Sequence, residues 1–233
     1  VIYLIGIAQD GLAYFEPAYV DELSAIMEWS FDYLQREAEK APDGTTGDWQ
    51  RDQNGGSVYL RLSTRVLQQP QRTLSAAQKQ EIIDGGYWLK PPAEGAELAV
   101  VAMGAVLPGA IEAWENLQED VPGAGLLVVT SADRLNAEWH AALKARQQGR
   151  KASCEIERLL APLARDAGLV TVLDGHPATL GWIGSVFGHR VQSLGVEHFG
   201  QSGDLPDLYR KYGLDADAIL DAAAAALLQR ARG

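Results

Sequence analysis

Few side chains of this 233-residue sequence are of a type that could do chemistry at a site. It has four His residues and a single cysteine, Cys154, so it offers neither an internal disulfide nor the ligand spacing of a zinc site. One histidine, His176, follows an apolar run in the sequence Asp174-Gly175-His176-Pro177. Histidine at a strand end can act as an acid, a base or a hydrogen-bond donor near neutral pH. His176 is therefore a candidate site residue, with helix capping or solvent exposure as the alternatives.

One further segment could recognise an anion. Glycines follow an apolar run in 102–109, where backbone amides could hold a phosphate, although simple tight turning explains the same pattern. A serine hydrolase is not favoured, because Ser131, Ser185 and Ser202 all lie outside a Gly-x-Ser-x-Gly setting.

Composition narrows the class of protein. Apolar residues make up 47% and charged residues 22%, as in soluble globular proteins. The net charge of -11 argues against a nucleic-acid partner. The apolar opening, 1–8, is too short for a membrane span and lacks a basic leader, so we expect a core strand and no membrane partner. The lone cysteine fits a reducing compartment, and we expect a bacterial cytoplasmic protein.

The elements that would position these residues can be traced along the first third of the chain. Short strands are predicted at 1–6 and 12–15. From Pro17 to about Lys40, apolar residues recur at spacings of three and four, which predicts an amphipathic helix. These residues are Val20, Leu23, Met27, Phe31 and Leu34. A polar, glycine-rich loop, 41–56, then precedes a strand at 58–62.

The remainder alternates between strands and helices. In 68–96, prolines bracket a helix that starts with a capping box at Ser75, and we interpret this segment as a link between two domains. Strands at 98–103, 126–129 and 169–173 are followed by helices at 108–118, 132–147 and 178–187. A helix at 154–165 bent by Pro162, a strand at 190–196 and terminal helices complete the chain. The pattern predicts an α/β fold of three layers around a mostly parallel sheet.

The end of the chain carries strong local signals. Gly213 suits the left-handed cap of one helix, and Asp215 suits the N-cap of the next. Leu214 and Ile219 occupy the two positions of a hydrophobic staple. These signals predict where the first of the two helices ends and where the final helix begins.

The order of residues in 191–226 resembles the C-terminal end of transketolase-like thiamine enzymes. An aromatic-glycine pair, Phe199-Gly200, leads into Gln201-Ser202, then a short helix, Tyr212-Gly213-Leu214-Asp215 and an Ala-rich helix. Within that superfamily it is most similar to the first, decarboxylating component of the homodimeric type of pyruvate dehydrogenase complex. The segments 14–19 and 58–65 resemble the end of the family's middle domain, which holds the thiamine pyrimidine.

The resemblance implies a division of the chain. Residues 1–67 would be the C-terminal portion of the pyrimidine-binding domain, 68–96 an interdomain linker, and 97–233 a transketolase C-terminal-like domain. Val1 would then lie partway through the middle domain. The chain would be a C-terminal fragment of the enzyme.

The resemblance also implies an activity. The intact enzyme would use thiamine diphosphate and Mg²⁺ to decarboxylate pyruvate and pass the acetyl unit to lipoyl groups. Its partners would be a second copy in a homodimer and the dihydrolipoyl acyltransferase core. This fragment would give dimer contacts and part of the substrate entrance, for which the candidates are Arg65, His176, Gln201 and Ser202.

The family's Gly-Asp-Gly motif and its later Asn, which bind magnesium and diphosphate, have no counterpart in this sequence. We therefore expect no catalytic residue, metal or cofactor in the fragment alone, and no activity. A transketolase is the nearest alternative. In transketolases an arginine just after the strand that corresponds to 58–62 contacts a sugar-phosphate substrate, so the resemblance makes Arg65 a candidate for anion recognition, against a salt bridge at the surface or between domains. Thr64-Arg65 does not, however, reproduce the transketolase pattern Ser-Arg-Gln. A non-catalytic dimerisation or binding module is the other alternative.

Overall fold

The computed structural model describes residues 11–36, 55–198 and 200–231. The strand predicted at 1–6, most of the loop predicted at 41–56, and Phe199 lie outside them. The strands are β1 (Leu12–Phe15), β2 (Ser57–Leu60), β3 (Gly86–Lys90), β4 (Ala96–Met103), β5 (Gly125–Val129), β6 (Leu163–Leu173) and β7 (Arg190–Leu194). The helices are α1 (Val20–Leu34), α2 (Ala76–Asp84), α3 (Leu107–Asp120), α4 (Ala132–Gln147), α5 (Glu155–Leu160), α6 (Ala178–Gly181), α7 (Leu205–Tyr212) and α8 (Ala216–Ala231). None of the helices in these ranges is long and apolar enough to cross a membrane.

The strands form two sheets. β1 and β2 pair in parallel, and a five-stranded sheet has the order β3-β5-β4-β6-β7. All neighbours in the larger sheet are parallel except β3, which runs antiparallel to β5. Alternate residues of β4, such as Val100 and Val101, enter separate apolar clusters on the two faces of the sheet. Helices cover both faces, which confirms the predicted α/β architecture.

The segment 68–96 contributes a strand as well as a helix. α2 begins as predicted, because the Ser75 Oγ accepts a hydrogen bond from the backbone N–H of Gln78 at 3.3 Å. β3, however, is the edge strand of the larger sheet, so this part of the segment is not a connection. The boundaries 1–67, 68–96 and 97–233 remain predictions.

Pro162 ends a helix where the sequence suggested a bend. The helix predicted at 154–165 stops at Leu160, and β6 begins at Leu163. Proline has no N–H for a helical hydrogen bond and its ring clashes with the preceding turn, which explains the early end. The prediction of one bent helix was wrong.

α1 is a helix as predicted, but its apolar stripe faces outward. Val20, Phe31 and Leu34 are 63%, 58% and 50% exposed. The buried face consists of Glu22, Ala25, Ile26, Ser30 and Tyr33. Amphipathic helices normally turn the apolar stripe to the core. This one leaves it on the surface.

The terminal helices confirm the local signals. Gly213 has φ 63° and ψ 47°, the left-handed conformation that glycine adopts at no steric cost. The Asp215 Oδ1 accepts a hydrogen bond from the N–H of Ala218 at 3.1 Å. Leu214 and Ile219 are both buried. These contacts fix α8 against β6, where the methyl of Ala226 lies over Gly168.

Candidate functional site

The carboxyl ends of β4 and β6 lie side by side, with Met103 opposite Leu173. The chain passes from β4 to β5, which lies on the side of β4 away from β6. It passes from β6 to β7 in the opposite direction, because β7 lies on the side of β6 away from β4. Open α/β sheets bind ligands in the crevice at such a switch in strand order. In this chain the crevice lies between Gly104 and Asp174.

Residues from the N-terminal part of the chain fill this crevice. Arg61, just after β2, donates from Nη1 to the Glu16 Oε1 and from Nη2 to the carbonyl oxygen of Asp174, the latter at 2.6 Å. The Glu16 carboxylate lies against Gly104, which has φ +71° and where any Cβ would overlap it. The usual ligand position of the larger sheet is therefore occupied by an internal ion pair.

The carboxylate of Glu16 is buried with two donors. Glu16 is 4% exposed, and the Tyr14 hydroxyl donates to its Oε2 at 2.5 Å. Burial raises the pKa of Glu16, and Arg61 and the Tyr14 hydrogen bond oppose that rise. Burial, reinforced by the Glu16 charge, raises the pKa of Tyr14. Tyr14 is thus a permanent donor at any physiological pH.

A second buried carboxylate joins α1 to the larger sheet. Glu22 is fully buried and accepts hydrogen bonds from the Tyr87 hydroxyl at 2.5 Å and from the backbone N–H of Ala18 at 2.7 Å. Burial raises the pKa of Glu22, and these donors oppose the rise. The Arg72 guanidinium lies 5.3 and 5.2 Å from the ring centroids of Tyr19 and Tyr87. Both carboxylates therefore hold the junction between the two sheets together.

Arg65 lies at an open cavity of about 170 Å³. The cavity is bounded by the first turn of α1, the segment after β2 and Ala105. The Arg65 Nη1 donates to the carbonyl oxygen of Ala105 at 3.0 Å, and its guanidinium lies 4.9 Å from the ring centroid of Tyr209 in α7. These contacts fix the guanidinium beside the cavity.

The other candidates lie on turns with local partners. The His176 Nδ1 accepts a hydrogen bond from the N–H of Ala178 at 3.2 Å, so its ring stabilises the start of α6. Exposed Gln201 donates to the Ser202 carbonyl at 3.2 Å and accepts from the Lys211 ammonium at 2.5 Å. Arg65 and Gln201 both contact α7, Arg65 through the Tyr209 ring and Gln201 through Lys211. Roles at a substrate entrance remain predictions for all four residues.

The described residues do not fit a metal-diphosphate group. No three His, Cys, Asp or Glu side chains within the described ranges are arranged to hold a metal ion. The glycine turn at 102–109 faces the Glu16 carboxylate, which would repel a phosphate. Of the two interpretations of that turn, tight turning is the one that the structure supports.

Sequence reasoning missed Glu16, Arg61, Glu22 and Arg72. A signal for one of them was present: Glu16 follows directly after the strand predicted at 12–15, whereas Arg61 falls inside the strand predicted at 58–62. A charge at such a position must find a partner if the strand end is covered. The partners themselves lie 45 and 113 residues away in sequence.

Comparisons with known proteins agree with this architecture. A family model described as the transketolase-like TK C-terminal domain matches residues 85–215. No curated protein matches the chain. Transketolase from Leishmania mexicana is similar in structure, with a TM-score of 0.63 and 15% identity over 94% of this chain and 26% of its own. A Pichia stipitis transketolase mutant in complex with fructose-6-phosphate gives a TM-score of 0.60 and 18% identity, over 94% and 25%.

A split-gene transketolase, solved as an inactive β4 tetramer, gives a TM-score of 0.57 and 18% identity, over 94% of this chain and 58% of its own. The identities are low enough that these likenesses concern the fold alone. The chain spans about a quarter of the length of the first two transketolases.

Proposed function

Because the chain belongs to the transketolase-like C-terminal domain family, whose members are thiamine diphosphate enzymes, we propose that it is the C-terminal part of a pyruvate dehydrogenase first component. In the intact enzyme, pyruvate loses carbon dioxide. Its two-carbon remainder is oxidised to an acetyl group and bonds to one sulfur of a lipoyl disulfide, while the other sulfur is reduced to a thiol. The lipoyl group belongs to a dihydrolipoyl acyltransferase core.

The contacts of Arg61 and Arg65 are the observation that favours a 2-oxo acid over a sugar phosphate as the substrate. Arg65 is held by the Ala105 carbonyl and the Tyr209 ring, and Arg61 by Glu16 and the Asp174 carbonyl. A phosphate at Arg61 would have to compete with the Glu16 carboxylate and the Asp174 carbonyl for both Nη atoms. The Glu16 carboxylate also repels a doubly charged phosphate more strongly than the singly charged carboxylate of pyruvate. This environment therefore favours a substrate without phosphate.

The chain's own contribution would be binding and positioning. Arg65, His176, Gln201 and Ser202 would form one wall of a substrate entrance, and a homodimer would complete the site. Since the described residues do not fit a metal-diphosphate group, thiamine diphosphate and Mg²⁺ would be held by another part of the enzyme. Chemistry on pyruvate would occur there.

The test is an assay of the full-length product of the gene that encodes this chain, supplied with thiamine diphosphate and Mg²⁺. Pyruvate-dependent reduction of an artificial electron acceptor is expected, without ketol transfer from a sugar phosphate. Activity only in the ketol-transfer assay would replace the proposal with a transketolase. In that case Arg65→Met should raise the KM for the sugar phosphate, whereas a pyruvate enzyme should show little change in KM. Failure of both assays would leave a binding or dimerisation module.

A further inference from the structure

The ring of His176 is held in one tautomer by its own backbone. Its Nδ1 accepts a hydrogen bond from the N–H of Ala178 at 3.2 Å. A backbone N–H can only donate, so Nδ1 must carry a lone pair, and the proton of the neutral ring is then on Nε2. His176 is partly exposed, and within the described ranges its Nε2 has no hydrogen-bond partner. The side chain therefore presents a donor, and not an acceptor, to a ligand.

The turn that carries this ring is fixed by two other parts of the chain. The Arg61 Nη2 donates to the carbonyl oxygen of Asp174 at 2.6 Å. The N–H of Val196 donates to the carbonyl oxygen of Gly175 at 2.7 Å. Because the two carbonyls directly before His176 are both bound, the position of its ring is set before a ligand arrives.

This turn forms one side of the crevice at the switch in strand order. The crevice lies between Gly104, after β4, and Asp174, after β6, and His176 is two residues beyond Asp174. On the other side, the Arg65 Nη1 donates to the carbonyl oxygen of Ala105 at 3.0 Å. A neutral donor and a guanidinium thus belong to the two sides of one crevice.

We propose that His176 recognises the carboxylate of the 2-oxo acid by donating a hydrogen bond from Nε2, and that it takes no proton from the substrate. This role rests on the proposed function, which supplies the substrate. A general base needs a free lone pair, and the lone pair of this ring is engaged by the N–H of Ala178. A carboxylate accepts hydrogen bonds and gives none, so it matches the Nε2–H. His176 is thus a residue that selects and binds the substrate, and the chemistry takes place elsewhere.

The tautomer can be measured on the 233-residue chain without substrate or cofactor. A two-bond ¹H–¹⁵N spectrum of the chain labelled with ¹⁵N-histidine, recorded at mildly alkaline pH, shows which ring nitrogen carries the proton. The spectrum of the His176→Asn variant identifies the signal that belongs to His176. We expect the proton on Nε2. A proton on Nδ1 would overturn the proposed role, because the ring would then offer a lone pair to the ligand.

Two substitutions in the full-length enzyme separate the donor from the helix cap. In His176→Asn the amide oxygen can replace Nδ1 as the acceptor for Ala178, but no group reaches the position of Nε2. This variant should raise the KM for pyruvate at least about tenfold, the effect of losing one hydrogen bond to a charged group, and change kcat by less than about threefold. In His176→Gln the longer side chain places an amide N–H near the position of Nε2. It should recover most of the KM and lose thermal stability instead. His140→Asn, at a histidine exposed on α4, should leave both constants unchanged.

The possible results distinguish this role from the proposed function. If the wild-type enzyme is active with pyruvate, an unchanged KM in His176→Asn would overturn the role alone. A fall in kcat of about 100-fold or more in both His176 variants, as expected for a lost general base, would do the same. A wild-type enzyme without pyruvate activity would overturn the proposed function and the ligand named here, whereas the tautomer measured on the chain would be unaffected.

Discussion

Arg61 pairs with Glu16 across 45 residues of sequence and, with its other Nη, donates to the carbonyl oxygen of Asp174 at the end of β6. One guanidinium thereby neutralises a buried carboxylate and ties the small sheet to the large one. Gly104 makes room for that carboxylate. Gly104, Glu16, Arg61 and Asp174 thus form one continuous series of contacts.

The Arg61 guanidinium offsets the unfavourable burial of the Glu16 charge, so its removal should destabilise the fold. Arg61→Met is expected to lower the free energy of unfolding by about 2 to 4 kcal/mol, because it leaves a buried charge without its partner. Urea denaturation at pH 7 measures the loss. The Arg61→Met, Glu16→Gln double variant should recover part of it. A double variant whose loss equals the sum of the single losses would show that the two side chains are not coupled.

Gly104 and Gly95 form a matched pair for testing the space beside Glu16. Both have positive φ, 71° and 74°, but nothing lies within 4 Å of a Cβ at Gly95. Gly95→Ala should cost about 1 to 2 kcal/mol from backbone strain alone. Gly104→Ala should cost roughly 2 kcal/mol more, since its methyl would displace the carboxylate. Equal losses in chemical denaturation would mean that Glu16 moves aside freely.

The hydroxyl of Tyr87 satisfies the second buried carboxylate. Tyr87→Phe should destabilise the chain by about 1 to 3 kcal/mol, because one oxygen of Glu22 loses its side-chain donor. Tyr59→Phe removes the hydroxyl of a tyrosine that is 43% exposed and should change stability by less than about 0.5 kcal/mol. Thermal unfolding of the two variants side by side gives the comparison. Similar effects of both changes would contradict the assignment of this hydroxyl.

His189 should make stability fall in mild acid. Its residue is 6% exposed, and burial lowers its pKa from the ordinary value of about 6.5. Below pH 6.5 the unfolded chain therefore binds a proton that the folded chain resists, so the free energy of unfolding decreases as pH falls. His189→Gln should flatten the stability profile between pH 7.5 and 5.5. Urea denaturation at a series of pH values measures the profile, and an unchanged slope in the variant would contradict the assignment to His189.

Local sequence signals predicted local structure well. α4 has the predicted bounds, Ala132–Gln147, because Ser131 caps it and no Pro or Gly interrupts its pattern. β3 was missed because Gly85-Gly86 and Pro91-Pro92 flank it, and those dipeptides are typical of connections. β3 pairs with β5, about 40 residues further along the chain, and local strand propensity contains no information about such long-range pairing.

The candidate site was harder to predict for the same reason. Arg65 was identified through the family resemblance of the segment 58–65, but the Tyr209 ring that holds it comes from the tail. The outward stripe of α1 had the spacing of a core-facing helix, and only the packing of Ala25, Ile26 and Tyr33 decided which face is buried. Periodicity locates an apolar stripe without saying what covers it.

The span between Arg61 and Asp174 sets an order of events during synthesis. Arg61 leaves the ribosome 113 residues ahead of the carbonyl that it binds. At about 5 to 20 residues per second, that is a wait of roughly 6 to 23 seconds. During that interval only one of the two acceptors of Arg61, the Glu16 carboxylate, has been synthesised. The small sheet is thus translated well before the contact that ties it to the large sheet is available, which leaves it accessible to chaperones and proteases during that interval.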